Sequence, residues 1–562
     1  MKMSPAKIIA AGCAAALLAA TALAQGTAPA NRAPAVIAGV VTRDPDGEPV
    51  KKALIELIAE NQAVGGNYTA VTGFDGTFRI ENILPGRYHL FAERTGMLDI
   101  DKNRGRSDGR TLALASGEEV KDLHIRVQAA AVVHGRVTDE DGDAMPNAEV
   151  TVLRQTFAAG HKHWDQVGAE RTNDLGEYRV ANLPAGNVYV SVSPPPDFKS
   201  LIESGNGEHA APAGAEKPAS PVYQTTYYPG TSDRSQAAPI QLRPGDEFPV
   251  NFSLTPSPAL TIRGSVTNLP PRTLATIMLQ SRDFRLVFNG AEMHKDGTFV
   301  IRDVSPGSYS IIASVDGTAV PMTARLPLQV GSSNVEGIVL SPVAGTVVRG
   351  RLRVDAKNGL GQFDPDRTFL LLQSSDSDDD DSPNDRFSNL AHVAADGSFE
   401  WRDVPAGTYY IQPVRDAGPD SEWFVKSVLA GGRDLNDAGI SVAGGSVSLD
   451  LVVSANGAVV EGIATNHAGD PVSNAVVVLV PEPRLRGHVD RYRKSVSDQN
   501  GHFTVGGIPP GDYTLLAWES VEGEAYYNPD FIKIYEPQGT AFHLAEGDHK
   551  PAQIEVISPA EP

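Results

Sequence analysis

The stretch HLAEGDH, residues 543–549, contains residue types that could bind zinc. His543 and Glu546 have H-x-x-E spacing, which can bring two metal ligands together. With a third histidine they would hold a catalytic zinc with one position open for water. The first hypothesis from these residues is therefore a metal-dependent hydrolase, and it depends on the elements that position the two side chains.

A hairpin-like element recurs five times along the chain. In each copy two glycines lie ten residues apart, although the segments between copies vary in length. The five copies are FDGTFRIENILPGRY at 74–88, NDLGEYRVANLPAGNVY at 173–189, KDGTFVIRDVSPGSY at 295–309, ADGSFEWRDVPAGTYY at 395–410 and QNGHFTVGGIPPGDY at 499–513. Constant spacing of this kind indicates a repeat with fixed backbone geometry.

The chemistry of the element predicts a β-hairpin. Asp-Gly or Asn-Gly supplies a tight turn, alternating apolar residues follow, and Pro-Gly closes a second turn. A tyrosine then begins the returning strand as an aromatic plug, and the five are Tyr88, Tyr189, Tyr309, Tyr409 and Tyr513. With a V-x-G-x-V strand upstream and a strand–Gly–strand pair downstream, each repeat has about seven short strands. That count is typical of a β-sandwich.

This repeat explains HLAEGDH. The stretch occupies the slot of the downstream strand–Gly turn, which in the other copies reads LALASGEEV, IQLRPGDEF, LQVGSSNV and ISVAGGSV. Those copies contain no H-x-x-E, and a zinc peptidase would need a third ligand far downstream. We therefore predict no metal site, no catalytic residues and no cofactor; no nucleophile motif or P-loop occurs in the chain.

The repeats resemble carboxypeptidase regulatory-like domains. The resemblance rests on the V-x-G-x-V strand, a D-x-x-G-x-P-V hairpin and the D-G-x-F hairpin ending in P-G-x-Y; HAGDPVSNAVVVLV at 467–480 is the clearest example. It implies an all-β, prealbumin-like (carbohydrate-binding-like) seven-stranded Greek-key sandwich related to Cna B-type repeats. It implies no peptidase activity, because the family is named after a non-catalytic domain of some carboxypeptidases.

The N-terminus predicts export. Lys2 and Lys7 precede an apolar run and the site Ala22-Leu23-Ala24, which together are typical of a signal peptide. A transmembrane anchor and a lipidated Cys13 are the alternatives; Cys13 is the only cysteine. The predicted divisions are a signal peptide at 1–24, a flexible segment at 25–35, and repeats at 36–129, 130–259 (insertion 203–222), 260–345, 346–457 (acidic insertion 374–386) and 458–562.

Charge limits the partners. The formal net charge is −21, and an acidic surface repels nucleic acid and anionic lipid. The acidic run at 376–385 lacks the glycine and the glutamate of a calcium loop. His161 and His163 lack an identifiable third ligand. We expect a protein or polysaccharide partner at the cell envelope, and the sequence leaves the oligomeric state open.

Two tyrosine doublets are the predicted ligand-binding residues: Tyr227, Tyr228, Tyr526 and Tyr527. Both lie in loops after the P-G-x-Y hairpin, where an exposed ring could stack on a sugar. Alternatively, the rings pack against a neighbouring repeat. The sequence thus predicts a non-catalytic binding or spacer scaffold in the periplasm, at the outer surface or outside the cell. A carbohydrate-binding accessory protein is the alternative, and a hydrolase with an unrecognised site is a further one.

Overall fold

The prediction of an all-β sandwich is confirmed. The computed structural model describes residues 33–60, 65–100, 109–158, 161–195, 222–270, 273, 275–281, 291–315, 322–355, 368–374, 390–415 and 423–558. Five hydrophobic clusters lie between facing sheets, and each draws its buried residues from one sequence repeat. No helix in these described ranges is long and apolar enough to cross a membrane.

The first repeat packs sheet β4-β1-β8-β6 against sheet β3-β2-β5-β7. β1 starts one residue inside the segment predicted to be flexible. The strands are β1 (Ala35–Arg43), β2 (Leu54–Ala59), β3 (Asn67–Val71), β4 (Thr77–Ile83), β5 (Gly86–Glu93), β6 (Met97–Asp99), β7 (Arg110–Leu114) and β8 (Glu119–Ala129).

The second repeat packs sheet β12-β9-β17 against sheet β11-β10-β13-β15, and β16 and β18 extend the sheets. Its strands are β9 (Ala131–Thr138), β10 (Glu149–Ala158), β11 (His161–Arg171), β12 (Glu177–Leu183), β13 (Gly186–Ser193), β14 (Val222–Tyr223), β15 (Thr226–Tyr227), β16 (Ile240–Leu242), β17 (Glu247–Pro249), β18 (Phe252–Ser253) and β19 (Pro256–Ser257), with a 3₁₀ turn at Arg234–Gln236.

The third repeat packs sheet β22-β23-β20-β26 against sheet β21-β24-β25-β27. Its strands are β20 (Leu260–Val266), β21 (Thr276–Ser281), β22 (Ala291–Met293), β23 (Thr298–Val304), β24 (Gly307–Val315), β25 (Met322–Val330), β26 (Val335–Leu340) and β27 (Val343–Ala344).

The fourth repeat packs sheet β31-β28-β36-β33-β34 against sheet β30-β29-β32-β35. Its strands are β28 (Thr346–Asp355), β29 (Thr368–Ser374), β30 (Leu390–His392), β31 (Ser398–Val404), β32 (Gly407–Arg415), β33 (Phe424–Ala430), β34 (Arg433–Asp434), β35 (Ile440–Val442) and β36 (Ser446–Ser454).

The fifth repeat packs sheet β40-β37-β43 against sheet β39-β38-β41-β42. Its strands are β37 (Ala458–Thr465), β38 (Val476–Pro481), β39 (Arg493–Val496), β40 (His502–Ile508), β41 (Gly511–Trp518), β42 (Thr540–Leu544) and β43 (His549–Glu555). Between β41 and β42 lies helix α1 (Pro529–Tyr535), and 3₁₀ turns occur at Pro483–Leu485, Val489–Arg491, Glu522–Tyr527 and Glu536–Gln538. Asn528 caps α1 by accepting a hydrogen bond from the amide of Asp530.

The V-x-G-x-V strand needs its glycine because another strand lies against it. In every repeat this first strand pairs in parallel with one or two strands near the end of the repeat, as β1 pairs with β8 and β37 with β43. A Cβ built on Gly39 would lie 2.2 Å from the carbonyl oxygen of Leu123, and one on Gly462 would lie 1.9 Å from that of Ala552. Gly135, Gly264 and Gly350 are equally crowded by backbone oxygens. Only glycine fits this slot.

The hairpin breaks its alternation at one left-handed residue. Phe78 and Ile80 are buried two apart, but the next buried residue is Ile83. Asn82 has φ +59°, and the pairing of β1 with β4 shifts register beside it. Corresponding left-handed residues occur in the other repeats at Asn182, Asp303, Asp403 and Gly507. Asparagine, aspartate and glycine are the residues that adopt this conformation at least cost, so the irregularity is part of the repeat.

The tyrosine plug closes the second turn in four repeats. Each hydroxyl donates to the carbonyl oxygen four residues upstream: Tyr88 to Leu84 at 2.5 Å, Tyr309 to Ser305 at 2.9 Å, Tyr409 to Pro405 at 3.1 Å and Tyr513 to Pro509 at 3.0 Å. The prediction for Tyr189 is wrong. Val188, two residues after Gly186, takes the core position that Tyr88 takes two residues after Gly86, so Tyr189 faces outward against Trp164.

We expect these plugs to make the protein sensitive to alkali. Burial raises the pKa of Tyr88 and of Tyr513 to about 12, above the ordinary 10.0. The unfolded chain therefore releases these protons near pH 10 while the folded chain keeps them, so the free energy of unfolding falls as pH rises from about 10 to about 12. Melting temperatures measured across this range should decline, and the decline should be smaller in Tyr513→Phe. A constant melting temperature would contradict the prediction.

Very short linkers join successive repeats. Ala130 alone separates β8 from β9, Gly345 alone separates β27 from β28, and residues 455–457 separate β36 from β37. Linkers of one to three residues leave little freedom for one sandwich to swing against the next.

Candidate functional site

The structure separates the two residues of the H-x-x-E pattern. His543 is on β42 with its side chain 81% exposed, and its Nδ1 lies 2.7 Å from a carboxylate oxygen of Asp512. Glu546 lies in the following turn, only 17% exposed, and accepts hydrogen bonds from Lys426 at 2.9 Å and Ser454 at 2.7 Å. Both donors belong to the fourth repeat. Glu546 is therefore a contact between repeats, and among the described residues no group of three or more metal-ligating side chains is assembled.

We expect the purified protein to bind no stoichiometric zinc. His543→Ala should leave the melting temperature unchanged, because the side chain is exposed and its contact with Asp512 is at the surface. Elemental analysis measures the zinc content, and calorimetry measures the melting temperature of the variant. One tightly bound zinc that is lost in His543→Ala would restore the hydrolase hypothesis.

Lys426 centres the contact between the fourth and fifth repeats. Its ammonium group also donates to Asp355 at 2.6 Å. The hydrogen bond to Asp355, followed by that to Glu546, raises the pKa of Lys426 above its ordinary value. Lys426 thus joins the ends of β28 and β33 to the turn before β43, directly beside the linker that connects the two repeats.

An arginine-rich loop of the fifth repeat, residues 484–493, extends this contact. The guanidinium of Arg491 is buried and donates to Asp437 of the fourth repeat at 2.7 Å. The ring of His488 makes an edge contact with Tyr410, also of the fourth repeat, at a centroid distance of 4.5 Å. Arg486 is anchored within the fifth repeat by Glu536 at 2.5 Å. The arginine-rich loop therefore contacts the fourth repeat through Arg491 and His488 and is anchored to its own repeat through Arg486.

Arg493 fixes the backbone of this loop through hydrogen bonds to carbonyl oxygens. It donates to the carbonyl oxygens of Gly507 and Tyr492, each at 2.9 Å, and to that of Asp490. Burial lowers the pKa of Arg493 from its ordinary value, because a buried cation loses its hydration. Three carbonyl oxygens replace that hydration and fix the path of the loop.

Gln499 connects the fifth repeat to the first. It precedes Asn500-Gly501 in the hairpin turn, and its side-chain amide binds one residue twice. The backbone N–H of Ala113 donates to Gln499 Oε1 at 3.0 Å, and Gln499 Nε2 donates to the carbonyl oxygen of Ala113 at 2.7 Å. Ala113 is on β7, the edge strand of its sheet. The amide thus satisfies edge groups that would otherwise be available to another strand.

A second hydrophobic cluster, the aromatic cluster, covers the outer face of sheet β39-β38-β41-β42. Its rings are Tyr492, Trp518, Tyr526, Tyr527, Phe531 and Tyr535, with neighbouring centroids 4.7–5.9 Å apart. Phe157 of the second repeat packs against this cluster. Strand β38 is consequently buried on both faces, which explains why VVVLV lacks alternation.

The tyrosine doublets lie mainly inside the protein. Tyr227 is 1% exposed and Tyr526 is 3% exposed. Their partners are less buried: Tyr228 packs against the core of the second repeat, and Tyr527 contacts Tyr492 at 4.8 Å. These positions agree with the alternative of packing within and between repeats. The ligand-binding role predicted for the four residues stays a prediction.

Other residues singled out from the sequence have local roles or lie outside the described part of the chain. Asp139 accepts hydrogen bonds from the amides of Asp141 and Asp143 and so forms a turn. His163 lies 3.2 Å from Asp165. The acidic run at 376–385, insertion residues 203–221 and the side chain of His161 are outside the described residues.

The sequence prediction missed the contacts that the fifth repeat makes. Two signals were present. The segment PRLRGHVDRYRK places four arginines within ten residues of an acidic chain, and VVVLV reads as a strand covered on both sides. Lys426, Gln499 and Phe157 carry no such signal, because each is an ordinary residue in an ordinary repeat position.

Comparison with known proteins identifies the domain type of two segments, in the first and second repeats. The model of the carboxypeptidase regulatory-like domain matches residues 36–127 and 132–196, which confirms the resemblance seen in the sequence. The matched family is a regulatory-like, non-enzymatic domain. Colossin-A of Dictyostelium discoideum is 21% identical over 402 residues, which cover 67% of this chain and 3% of that protein. The chain thus spans a small fraction of this curated relative.

Solved structures with similarity include streptococcal pilins. A streptococcal ancillary pilin is 13% identical and covers 53% of this chain and 99% of its own, with a TM-score of 0.18. The minor pilin GBS52 of Streptococcus agalactiae is 11% identical and covers 43% and 100%, with a TM-score of 0.21.

Proposed function

We propose that this chain, whose first two repeats are carboxypeptidase regulatory-like domains, is an exported, non-catalytic scaffold whose fifth repeat holds other repeats together. The matched domain type and the β-sandwich fold support a non-catalytic scaffold. Export rests on the predicted signal peptide. The acidic surface supports a protein or polysaccharide partner at the envelope rather than nucleic acid.

The observation that carries the proposal is that the fifth repeat contacts three others. Gln499 pairs with Ala113 of the first repeat across 386 positions of sequence. Phe157 of the second repeat packs on the aromatic cluster, and Glu546 receives Lys426 of the fourth. A plain linear row of sandwiches would place only the fourth repeat beside the fifth. Contacts with the first and second repeats instead indicate a chain folded back on itself.

Intramolecular distances test this arrangement. Cysteines introduced as Ser116→Cys in the first repeat and Asn500→Cys in the fifth would carry spin labels at exposed positions. No other cysteine is present in a chain that starts at Gln25. We expect one short, narrow distance distribution, which should broaden in a background with Gln499→Ala and Phe157→Ala. A long distance, spanning the intervening repeats, would show a linear spacer and refute the folded-back scaffold.

The carbohydrate-binding alternative is tested through the tyrosine doublets. Because Tyr526 is buried in the aromatic cluster, we expect Tyr526→Ala to lower the melting temperature whether or not a glycan binds. Tyr228→Ala and Tyr527→Ala should then be screened against a glycan array. If a variant binds a glycan more weakly than the unaltered chain does, with no change in melting temperature, the result would support the accessory-protein function. If the array shows no glycan binding, the scaffold function is the one supported.

A further inference from the structure

The fourth repeat carries a row of arginines on the outer face of its larger sheet. Arg349, Arg351 and Arg353 alternate along β28 and all point outward, while the residues between them face inward or pack on the neighbouring strand. Alternate residues of a strand lie about 6.8 Å apart, so the three arginines extend from regularly spaced positions and form a ladder along β28. Arg402 of β31 lines the same open groove, whose volume is about 1100 Å³. This basic row stands out in a chain of net charge −21.

The ladder is only loosely occupied by the protein's own carboxylates. Arg353 lies 3.0 Å from Asp450, and Arg351 lies 3.6 Å from Asp396. All four side chains are more than half exposed, so these pairs contribute little and exchange readily with other anions. Arg349 makes no hydrogen bond or ion pair with any residue in the described ranges. Its neighbour on β36, Ser448, offers a hydroxyl, and its neighbour on β31, Glu400, is paired with Arg402 at 2.5 Å.

The groove also has an apolar wall. Leu390 of β30 is 36% exposed, and the ring of His392 makes an edge contact with Phe369 at 5.5 Å. Leu390 and His392 line the groove together with the arginines. A ligand here would meet both guanidinium groups and apolar side-chain surface, which suits a peptide better than an inorganic anion.

We propose that this groove binds an acidic peptide segment of a protein partner in extended conformation, with carboxylates at every second residue. Side chains on one face of an extended peptide repeat at the same spacing as those of β28, about 6.8 Å. Three carboxylates of such a peptide can therefore each meet one arginine. The planar guanidinium binds a carboxylate through two parallel hydrogen bonds, which makes the ladder sensitive to the spacing of the charges as well as to their number. This inference goes beyond the scaffold role and does not depend on it.

Fluorescence anisotropy with the full mature chain tests the proposal. The probe is a labelled octapeptide in which serine and aspartate alternate. Its control is an octapeptide of the same composition with the aspartates contiguous. We expect the alternating peptide to bind more tightly, and to weaken as salt is raised because the contacts are exposed. Equal affinity of the two peptides would show that binding depends on total charge and not on the spacing of the carboxylates, and it would overturn the proposal.

Paired variants locate the site. The double variant Arg349→Ser and Arg351→Ser should weaken binding of the alternating peptide by about tenfold or more, as expected for lost charged hydrogen bonds. Arg263→Ser is the matched control, since Arg263 occupies the position of Arg349 in the third repeat and is paired there with Glu336 at 2.6 Å. Unchanged binding in the double variant, or an equal loss in the control, would overturn the assignment. So would binding of polygalacturonate in the groove without any binding of the peptide.

Discussion

Replacing Gly462 with alanine should unfold the fifth repeat, with a loss of about 3–5 kcal/mol in its free energy of unfolding. The new Cβ would lie 1.9 Å from the carbonyl oxygen of Ala552 and 2.6 Å from its carbon. Both are backbone atoms, so no side-chain rotation relieves the clash. β43 would have to move away from β37 and break the parallel ladder that joins the first and last strands. Calorimetry of the mature chain and limited proteolysis within residues 458–558 measure the effect.

Gly487→Ala is the matched control for this prediction. Gly487 lies in the same repeat and has no left-handed φ, and a Cβ built on it would meet no atom of the described residues within 4 Å beyond its chain neighbours. Alanine there should leave stability unchanged or raise it by about 0.4–1 kcal/mol through a less flexible unfolded chain. If both variants lose stability equally, close approach of the strands is not the reason for the glycine in V-x-G-x-V.

Replacing Trp518 with alanine should cost about 3–5 kcal/mol, the range for large aromatic residues removed from a core. Trp518 is 2% exposed, and its ring lies 5.9 Å from those of Phe531 and Tyr535. Because the aromatic cluster also receives Phe157, the variant should loosen the contact with the second repeat as well. We expect a lower melting temperature together with a broader spin-label distance distribution.

Ile534→Ala is the control that distinguishes the effect of removing a buried side chain from the effect of any substitution in this region. Ile534 is on the same helix α1 but is 67% exposed, so its removal should change stability by no more than about 0.5 kcal/mol. A small effect of Trp518→Ala, or an effect of Ile534→Ala of the same size, would mean that the aromatic cluster does not hold the fifth repeat against the second.

The features that the sequence predicts well are those set by local backbone chemistry. Gly76 of the Asp-Gly turn has φ +73° as the turn requires, and Tyr88 fills the core as the P-G-x-Y pattern predicts. The same pattern fails for Tyr189 because it lies three residues after Gly186, whereas Tyr88 lies two residues after Gly86, and successive residues of a strand point to opposite faces. The fold class and the repeat type were predictable. The limits of the five repeats stay a prediction.

The candidate site was less predictable, because it depends on contacts between distant repeats. An exposed tyrosine on a loop and a buried one look alike in sequence. Only the packing of Phe157 and Trp518 around the loop shows that Tyr526 is covered. The spacing of His543 and Glu546 raises a metal hypothesis that comparison of the repeats rejects, but it does not reveal the contact of Glu546 with Lys426, 120 positions away. Local spacing carries no information about such partners.

The parallel pairing of first and last strands determines how the chain responds to being pulled. Since β28 and β36 run side by side in the same direction through nine paired residues, the two ends of that repeat leave at opposite ends of the ladder. Tension along the chain therefore shears all of these rungs at once, whereas antiparallel terminal strands would unzip one rung at a time. Linkers of one to three residues would pass the force directly from one sandwich to the next. Each repeat would therefore be loaded in shear geometry, the arrangement of strands that resists mechanical unfolding most strongly.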